Sequence, residues 1–133
     1  LAAARGLGAE VATVAYSDTL HPAERFPIVV EAGGLPESLV YALRATQRCG
    51  HCTGVSAGTG NLATVPLREM YMKGVTYEVS RVHARGSLDA ALSCVCRGAV
   101  DPAAIITRTL SFSDAADAMA DGDIKTVFLR DAD

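Results

Sequence analysis

Residues 26–34 read FPIVVEAGG, residues 35–49 LPESLVYALRATQRC and residues 50–58 GHCTGVSAG, and on this stretch the reading of the fold turns. Phe26, Ile28, Val29 and Val30 form a short apolar run without polar alternation, the pattern of a parallel strand covered on both faces. Ala32, Gly33 and Gly34 end it. Pro36 is tolerated in a first helical turn, Glu37 puts a negative charge near a helix N-terminus, and Leu39, Val40 and Leu43 recur as a buried stripe. Gly50 is expected to stop that helix. Thr53 and Val55, with the small residues Ser56, Ala57 and Gly58, then make a second buried strand. Strand, helix and strand form one βαβ crossover, right-handed in nearly all cases, and ligands of such sheets lie beyond the carboxyl ends of the strands. Both strands finish in small residues, so backbone is open where a ligand would approach.

Upstream, residues 1–7 (LAAARGL) are helical in propensity, lack a cap and end at Gly6 and Gly8, as the last turns of a helix whose beginning is absent. Residues 10–15 (EVATVA) have the β-branched composition of a strand. Ser17 and Asp18 could cap a further helix, but only ten residues, 16–25, separate this strand from the next. Downstream, residues 59–65 read as a loop, 66–72 (PLREMYM) as a short helix opened by Pro66, and 75–79 (VTYEV) as a strand entered through Gly74. Ser87 is placed to cap a helix carrying Leu88, Ala91, Leu92 and Val95, stopped by Gly98 before Asp101-Pro102. A strand is expected over 105–112, a helix capped by Ser113 over DAADAMA, and a closing strand over 124–129 after Gly122.

The chain has 133 residues, half of them apolar, a formal charge of -3 and no tryptophan. These values suit one globular domain with room for a real core. Mild acidity gives no basic footprint for nucleic acid, no apolar run nears the roughly 18 residues of a membrane span, and no signal-peptide pattern opens the chain. The expectation is a cytoplasmic protein without nucleic-acid or membrane partners. The four cysteines, Cys49, Cys52, Cys94 and Cys96, are expected to be free thiols rather than a disulfide framework. A first residue of Leu rather than Met suggests a piece of something longer, or a lost start.

In order along the chain, five segments resemble the C-terminal part of the zinc-type, medium-chain alcohol dehydrogenase superfamily. RGLGAEVATVA resembles that family's first coenzyme-domain helix and second strand, FPIVVEAGG followed by PESL its strand and small-residue turn, and GHCTGVSAG the strand after it. EMYMKGVTYEVS is similar to its lysine-glycine approach to the last coenzyme-domain strand, and FSDAADAMADGDIKTVFL to its terminal helix and strand. The resemblance implies an α/β, Rossmann-like fold with a mostly parallel sheet and helices on both faces. Residues 1–133 would be one partial dinucleotide-binding domain, with 105–129 resembling the return to the catalytic domain. It further implies that Ala32 and Gly33 lie beside an adenosine ribose, that Val55, Ser56 and Ala57 lie beside a nicotinamide, and that backbone from Tyr77 to Val79 meets the carboxamide. Lys125 would reach the pyrophosphate, a cation facing a phosphate. NAD(P) is the implied cofactor; zinc is implied by the family alone and not by residues present.

The departures carry as much information. The GxGxxG turn that holds a pyrophosphate at a helix N-terminus should lie just before Leu1, and the strand that centres the sheet should precede it. The fold is therefore read as incomplete and its dinucleotide affinity as weak. The acidic residue expected to bind ribose hydroxyls falls on Ala15, which favours a phosphorylated coenzyme, although no arginine follows to hold the phosphate. The short link 16–25 implies a deletion of roughly two dozen residues, the usual size of a βα unit.

Other candidates have plain structural explanations. Cys49-Gly50-His51-Cys52 with Cys94 and Cys96 has zinc-ligand types, but residues two apart on a helix point roughly 200° apart and do not converge on one ion. His83, between Arg81 and Arg85, reads as a solvated turn before it reads as an anion site, and His21 as an exposed loop residue. Glu31 and Asp18 are not joined by any second motif. Two function classes follow. One is the coenzyme-binding portion of an NAD(P)-dependent oxidoreductase, inactive in isolation and without catalytic residues of its own. The other is a non-catalytic remnant that assembles as a homo-oligomer through the strand from Val75 to Val79.

Overall fold

The computed structural model describes residues 2–13, 20–58, 60, 62–122 and 125–130. They form two compact units, one of residues 13–83 and one of residues 1–12 with 84–133.

In the first unit a parallel sheet has the order β1 (Phe26–Glu31), β2 (Thr46–Gly54), β3 (Thr76–Val79). Helix α2 (Pro36–Ala45) crosses from β1 to β2, and α3 (Leu67–Lys73) precedes β3. This is the α/β, parallel arrangement that the sequence predicts, in partial form. Val29, Cys52 and Tyr77 pair in one row across the three strands. Against that face lie Ala42 and Leu43 of α2, with Leu39, Val65, Met70 and Val75 around them. The core is small: the buried apolar residues of this unit are Ala42, Leu43, Ala45 and Cys52 among those described. The opposite face of β1 is open, with Phe26, Ile28 and Val30 all exposed. The expectation of two covered faces fails here because α2 and α3 both pack on the Val29–Cys52–Tyr77 side.

The helix also ends earlier than Gly50. Thr46 already has extended dihedrals, and its hydroxyl donates to the Ala42 carbonyl at 2.9 Å, a back-bond that offers an alternative to the next helical turn. The ammonium of Lys73 completes the terminus by donating to the carbonyls of Leu43 (2.8 Å), Arg44 (3.2 Å) and Thr46 (2.8 Å), where a cation also meets the negative end of the helix dipole. Strand β2 therefore starts at Thr46. Phe26 pairs with Thr46 and Ile28 with His51, so residues 47–50 bulge from the ladder. Within the bulge Cys49 has φ 55, and a side chain at Gly50 would stand 3.0 Å from the Pro27 and Gln47 carbonyl oxygens. Gly50 is needed for that close backbone approach, not for stopping a helix.

The second unit contains α1 (Ala2–Gly6), α4 (Ala84–Cys96), β4 (Arg108–Ser111), α5 (Ala115–Ala118) and β5 (Thr126–Leu129). β4 and β5 pair in parallel, Arg108 with Thr126 through Ser111 with Leu129. Four sequence expectations shift here. α4 begins at Ala84, three residues before the expected cap Ser87, and buries none of Leu88, Leu92 or Val95. The strand expected over 105–112 shortens to β4, because 3-10 turns at Pro102–Ile105 and Phe112–Asp114 take both of its ends. The first of these turns is opened by Asp101, whose carboxylate accepts from Ala103 N–H at 2.9 Å. The cap falls to Ser111, whose Oγ accepts from Ser113 N–H. Residues 10–13 are not in a strand, and the remainder of that expectation, including Ala15, lies outside the described residues, as do Ser17, Asp18 and Ile124.

Candidate functional site

Three parallel strands end side by side at Glu31, Gly54 and Val79, so the loops leaving them share one edge of the sheet. The turn after β1 is organised by the buried carboxylate of Glu31. Its Oε1 accepts from the N–H groups of Gly33 (2.8 Å) and Gly34 (2.9 Å), and lies 2.6 Å from the Ser38 hydroxyl. Ser38 in turn accepts from Leu35 N–H at 3.2 Å. One acidic side chain thus holds the turn before α2 and, through Ser38, ties the strand end to the first turn of that helix. Gly34 takes φ 70 and packs directly on Ser56 Oγ, a position closed to a side chain on both counts. From β2, Val55 N–H donates to Glu31 O at 2.9 Å, continuing the ladder by one bond, and Ser56 Oγ accepts from Gly58 N–H at 3.2 Å.

These loops enclose a cavity of about 170 Å³ whose walls include Gly34, Ser56, Ala57, Gly58, Tyr77 and Val79. Ser56, Ala57, Tyr77 and Val79 come together there from the sequence-derived set. Ala32 and Gly33 do not; they line a separate cavity of about 290 Å³ between β1 and α2, with Tyr41 and Ala45. Val55 is exposed. Lys125 belongs to the other compact unit; its carbonyl accepts from Thr107 N–H at 2.9 Å and its own N–H donates to Thr107 Oγ1 at 3.1 Å, while its side chain is exposed. A larger groove of about 520 Å³ runs between α2 and residues 62–66. Its charged group, Arg44, is bound to Glu69 at 2.8 Å, and its lining residues include no strand end.

Electrostatics at the strand ends are set by burial. The Tyr77 phenol is pushed up, first by desolvation and then by Cys52 and Glu31, and its ring lies across Gly54, where a Cβ would stand 2.6 Å from the hydroxyl oxygen. Burial likewise raises the Cys52 thiol, against a hydrogen bond from Thr46 and the charge of Lys73, so it is a poor nucleophile. Sequence reasoning missed three features: the Glu31 turn, the Lys73 cap and the exposed His51–Glu78 pair at 3.1 Å. Only the last had a legible signal, since His51 and Glu78 occupy adjacent strands, but their register is invisible in sequence. His83, Arg81 and Arg85 are exposed. All four cysteines are free thiols, and among the described residues no three His, Cys, Asp or Glu side chains gather where an ion could sit. That donor set does not fit zinc.

No protein-family model matches the chain, and no curated protein matches it. Solved structures do. Alcohol dehydrogenase TADH from Thermus sp. ATN1 superposes with a TM-score of 0.71 at 21% identity, over 80% of this chain and 32% of its own. Zinc dependent alcohol dehydrogenase 2 from Streptococcus pneumonia gives 0.68 at 15%, over 83% and 33%. The rspB alcohol dehydrogenase from E. coli CFT073, solved with the cofactor NADH, gives 0.64 at 19%, over 80% and 32%. The likeness shows the fold: an incomplete Rossmann-like α/β architecture. The chain is built like one portion of these dehydrogenases and spans about a third of their length.

Proposed function

We propose that this chain is the coenzyme-binding portion of an NAD(P)-dependent, alcohol-dehydrogenase-like oxidoreductase, one partial dinucleotide-binding domain of a cytoplasmic protein. One observation carries the reading: a cavity at the carboxyl ends of three parallel strands, walled by Gly34, Ser56, Ala57, Tyr77 and Val79, which is where doubly wound sheets take their ligands. At about 170 Å³ it is well below the roughly 300–1,000 Å³ of a drug-sized pocket. It fits one ring of a dinucleotide and leaves the rest to the surrounding loops. Ala32 and Gly33 in the turn after β1, Val55 immediately after β2, and Lys125 are assigned to the same coenzyme. When bound, the nicotinamide supplies hydride chemistry; this chain's own residues supply contact and orientation, and none is assigned a catalytic role.

Without a glycine-rich phosphate turn among its residues, the chain is expected to bind NADH or NADPH weakly, in the high micromolar range or worse, and to show no dehydrogenase turnover alone. Calorimetry and an alcohol-oxidation assay on the 133-residue chain test this, with Lys125→Ala expected to weaken binding further. Binding at roughly micromolar affinity or better, or steady turnover, would overturn it.

A second reading has its own observation. β3 ends the three-stranded sheet, and Val79 beside its free edge is 60% exposed. An edge of this kind is a template for a second copy, and a homo-oligomer paired through Val75–Val79 is the non-catalytic alternative. Light scattering at micromolar concentration is expected to give a mass above 13.8 kDa; a concentration-independent monomer would exclude it.

A further inference from the structure

Resting on the coenzyme reading above, we propose that the side chain of Tyr77 is the positioning and size-selecting residue of the strand-end cavity. Its ring sets the depth of the cavity, and its hydroxyl donates to the carbonyl of the amide-bearing ring that enters. The geometry leads there in three steps. First, Tyr77 sits opposite Cys52 in the β2–β3 ladder, and its ring spreads over Gly54, with Cζ and Cε2 3.3 and 3.4 Å from where a Cβ on Gly54 would stand. Any side chain at Gly54 would displace the ring, so the glycine and the tyrosine form one wall. Second, the wall's other polar side chains are Glu31 and Ser56. Glu31 Oε1 already faces three donors, while Ser56 Oγ accepts from Gly58 N–H, packs on Gly34 and keeps its own hydrogen to donate. The structure gives the Tyr77 hydroxyl no hydrogen-bond partner among the described residues. Third, the hydroxyl keeps its proton at neutral pH, because burial moves the phenol further above its ordinary value of 10.0. It is therefore a donor, and it suits a carbonyl acceptor rather than a cation.

A cavity of this volume with two hydroxyl donors, Ser56 at the β2 turn and Tyr77 over Gly54, discriminates by shape and by hydrogen bonding to an acceptor. A flat ring bearing a carboxamide satisfies both; an adenine-bearing fragment does not need the donor. The test is an NMR titration of the 133-residue chain with nicotinamide mononucleotide and, separately, adenosine 5′-monophosphate, for wild type and Tyr77→Phe. The expected result is that Tyr77→Phe weakens the nicotinamide fragment by about fivefold to tenfold, the worth of one hydrogen bond, and leaves the adenosine fragment unchanged. As a second readout, the nicotinamide fragment is expected to perturb the phenol absorption of the wild-type chain, which needs no variant to fold. If Tyr77→Phe binds both fragments as wild type does and the phenol spectrum does not move, the role of Tyr77 is overturned while the coenzyme reading stands. Tyr77 loses its role in the same way if wild type binds only the adenosine fragment. If wild type binds neither fragment at several millimolar, the coenzyme reading falls and this inference falls with it.

Discussion

Replacing Glu31 is expected to loosen the strand-end site from within. The residue is 6% exposed, and one of its oxygens faces the N–H groups of Gly33 and Gly34 and the hydroxyl of Ser38 at 2.6–2.9 Å. In Glu31→Ala these three donors lose this acceptor. Gly33 is exposed and water can serve it, and the Ser38 hydroxyl keeps the Leu35 carbonyl at 2.8 Å, but the Gly34 N–H is buried, and a buried donor left unmet costs about 1–3 kcal/mol. A loss of about 1–3 kcal/mol is expected, which at a urea slope of roughly 1–3 kcal/mol/M lowers the midpoint by about 1 M. Glu31→Gln keeps an acceptor oxygen and loses the charge assistance, so about half that loss is expected. Equilibrium urea unfolding of the three chains, followed by circular dichroism, provides the measurement. If Glu31→Ala unfolds within about 0.5 kcal/mol of wild type, the carboxylate does not hold the turn and the reasoning fails.

Leu43 is fully buried at the centre of the first unit, so Leu43→Ala is expected to cost about 3 kcal/mol by the same assay, and a loss under about 1 kcal/mol would show that the core is not where the structure puts it. Cys49 occupies φ 55, a region costing a non-glycine residue about 1–2 kcal/mol. Cys49→Gly is therefore expected to stabilise the chain by about 0.5 kcal/mol, after the extra freedom glycine has when unfolded; a lower midpoint would contradict it. The Arg44–Glu69 pair predicts an acid dependence. Hydrogen bonding from Arg44 holds the Glu69 carboxyl below its ordinary value of 4.5, against the opposing effect of burial, with Arg44's charge adding to the shift. A carboxyl lowered in the folded state contributes stability above its ordinary value, and that contribution is lost as pH falls through the folded one. Glu69 is 40% exposed, so screening limits the term to about 0.5–1 kcal/mol. Glu69→Gln is expected to be less stable than wild type by that amount at pH 7 and equal to it near pH 3; a difference that persists in acid would assign the effect to packing.

How much of this was legible in the sequence depends on the range of the interaction. The βαβ unit could be read because each element is locally specified: an apolar run for β1, Pro36 and Glu37 opening α2, and small residues at the strand ends. The grouping of Ser56, Ala57, Tyr77 and Val79 was implied by the family resemblance, and parallel topology brings these four to one edge of the sheet. The end of α2 could not be read, because it is decided by Thr46 bonding back to Ala42 and by Lys73 reaching across from α3. Gly50 offered a false stop, since its function is a close approach to Pro27, distant in sequence. The resemblance placed Ala32 and Gly33 beside an adenosine ribose; of these turn residues Gly34 lines the strand-end cavity, while Ala32 and Gly33 line the one between β1 and α2. In the second unit the alternation over 105–112 suggested a longer strand than forms, because Asp101 and Ser111 draw both ends into 3-10 turns.

The two edges of the three-stranded sheet are chemically unlike, and that difference decides which of them would draw copies of the chain together. On the open face β3 presents Thr76 and Glu78, the latter paired with His51, and charge on an edge resists indiscriminate pairing. β1 presents Phe26, Ile28 and Val30, exposed by 48%, 72% and 60%. Its unbroken apolar composition is that of a strand with both faces covered. Covering each such side chain contributes about 1.5–3 kcal/mol, so the β1 face is the competing site for self-association. Pairing through Val75–Val79 uses backbone on β3 and does not touch Ile28. The variant Ile28→Lys places a charge at the most exposed point of the β1 face and leaves the Val29–Cys52–Tyr77 row intact. If copies pair through β3, light scattering gives the same mass for Ile28→Lys as for wild type. A return to 13.8 kDa in that variant would transfer the association to β1 and remove Val75–Val79 from the interface.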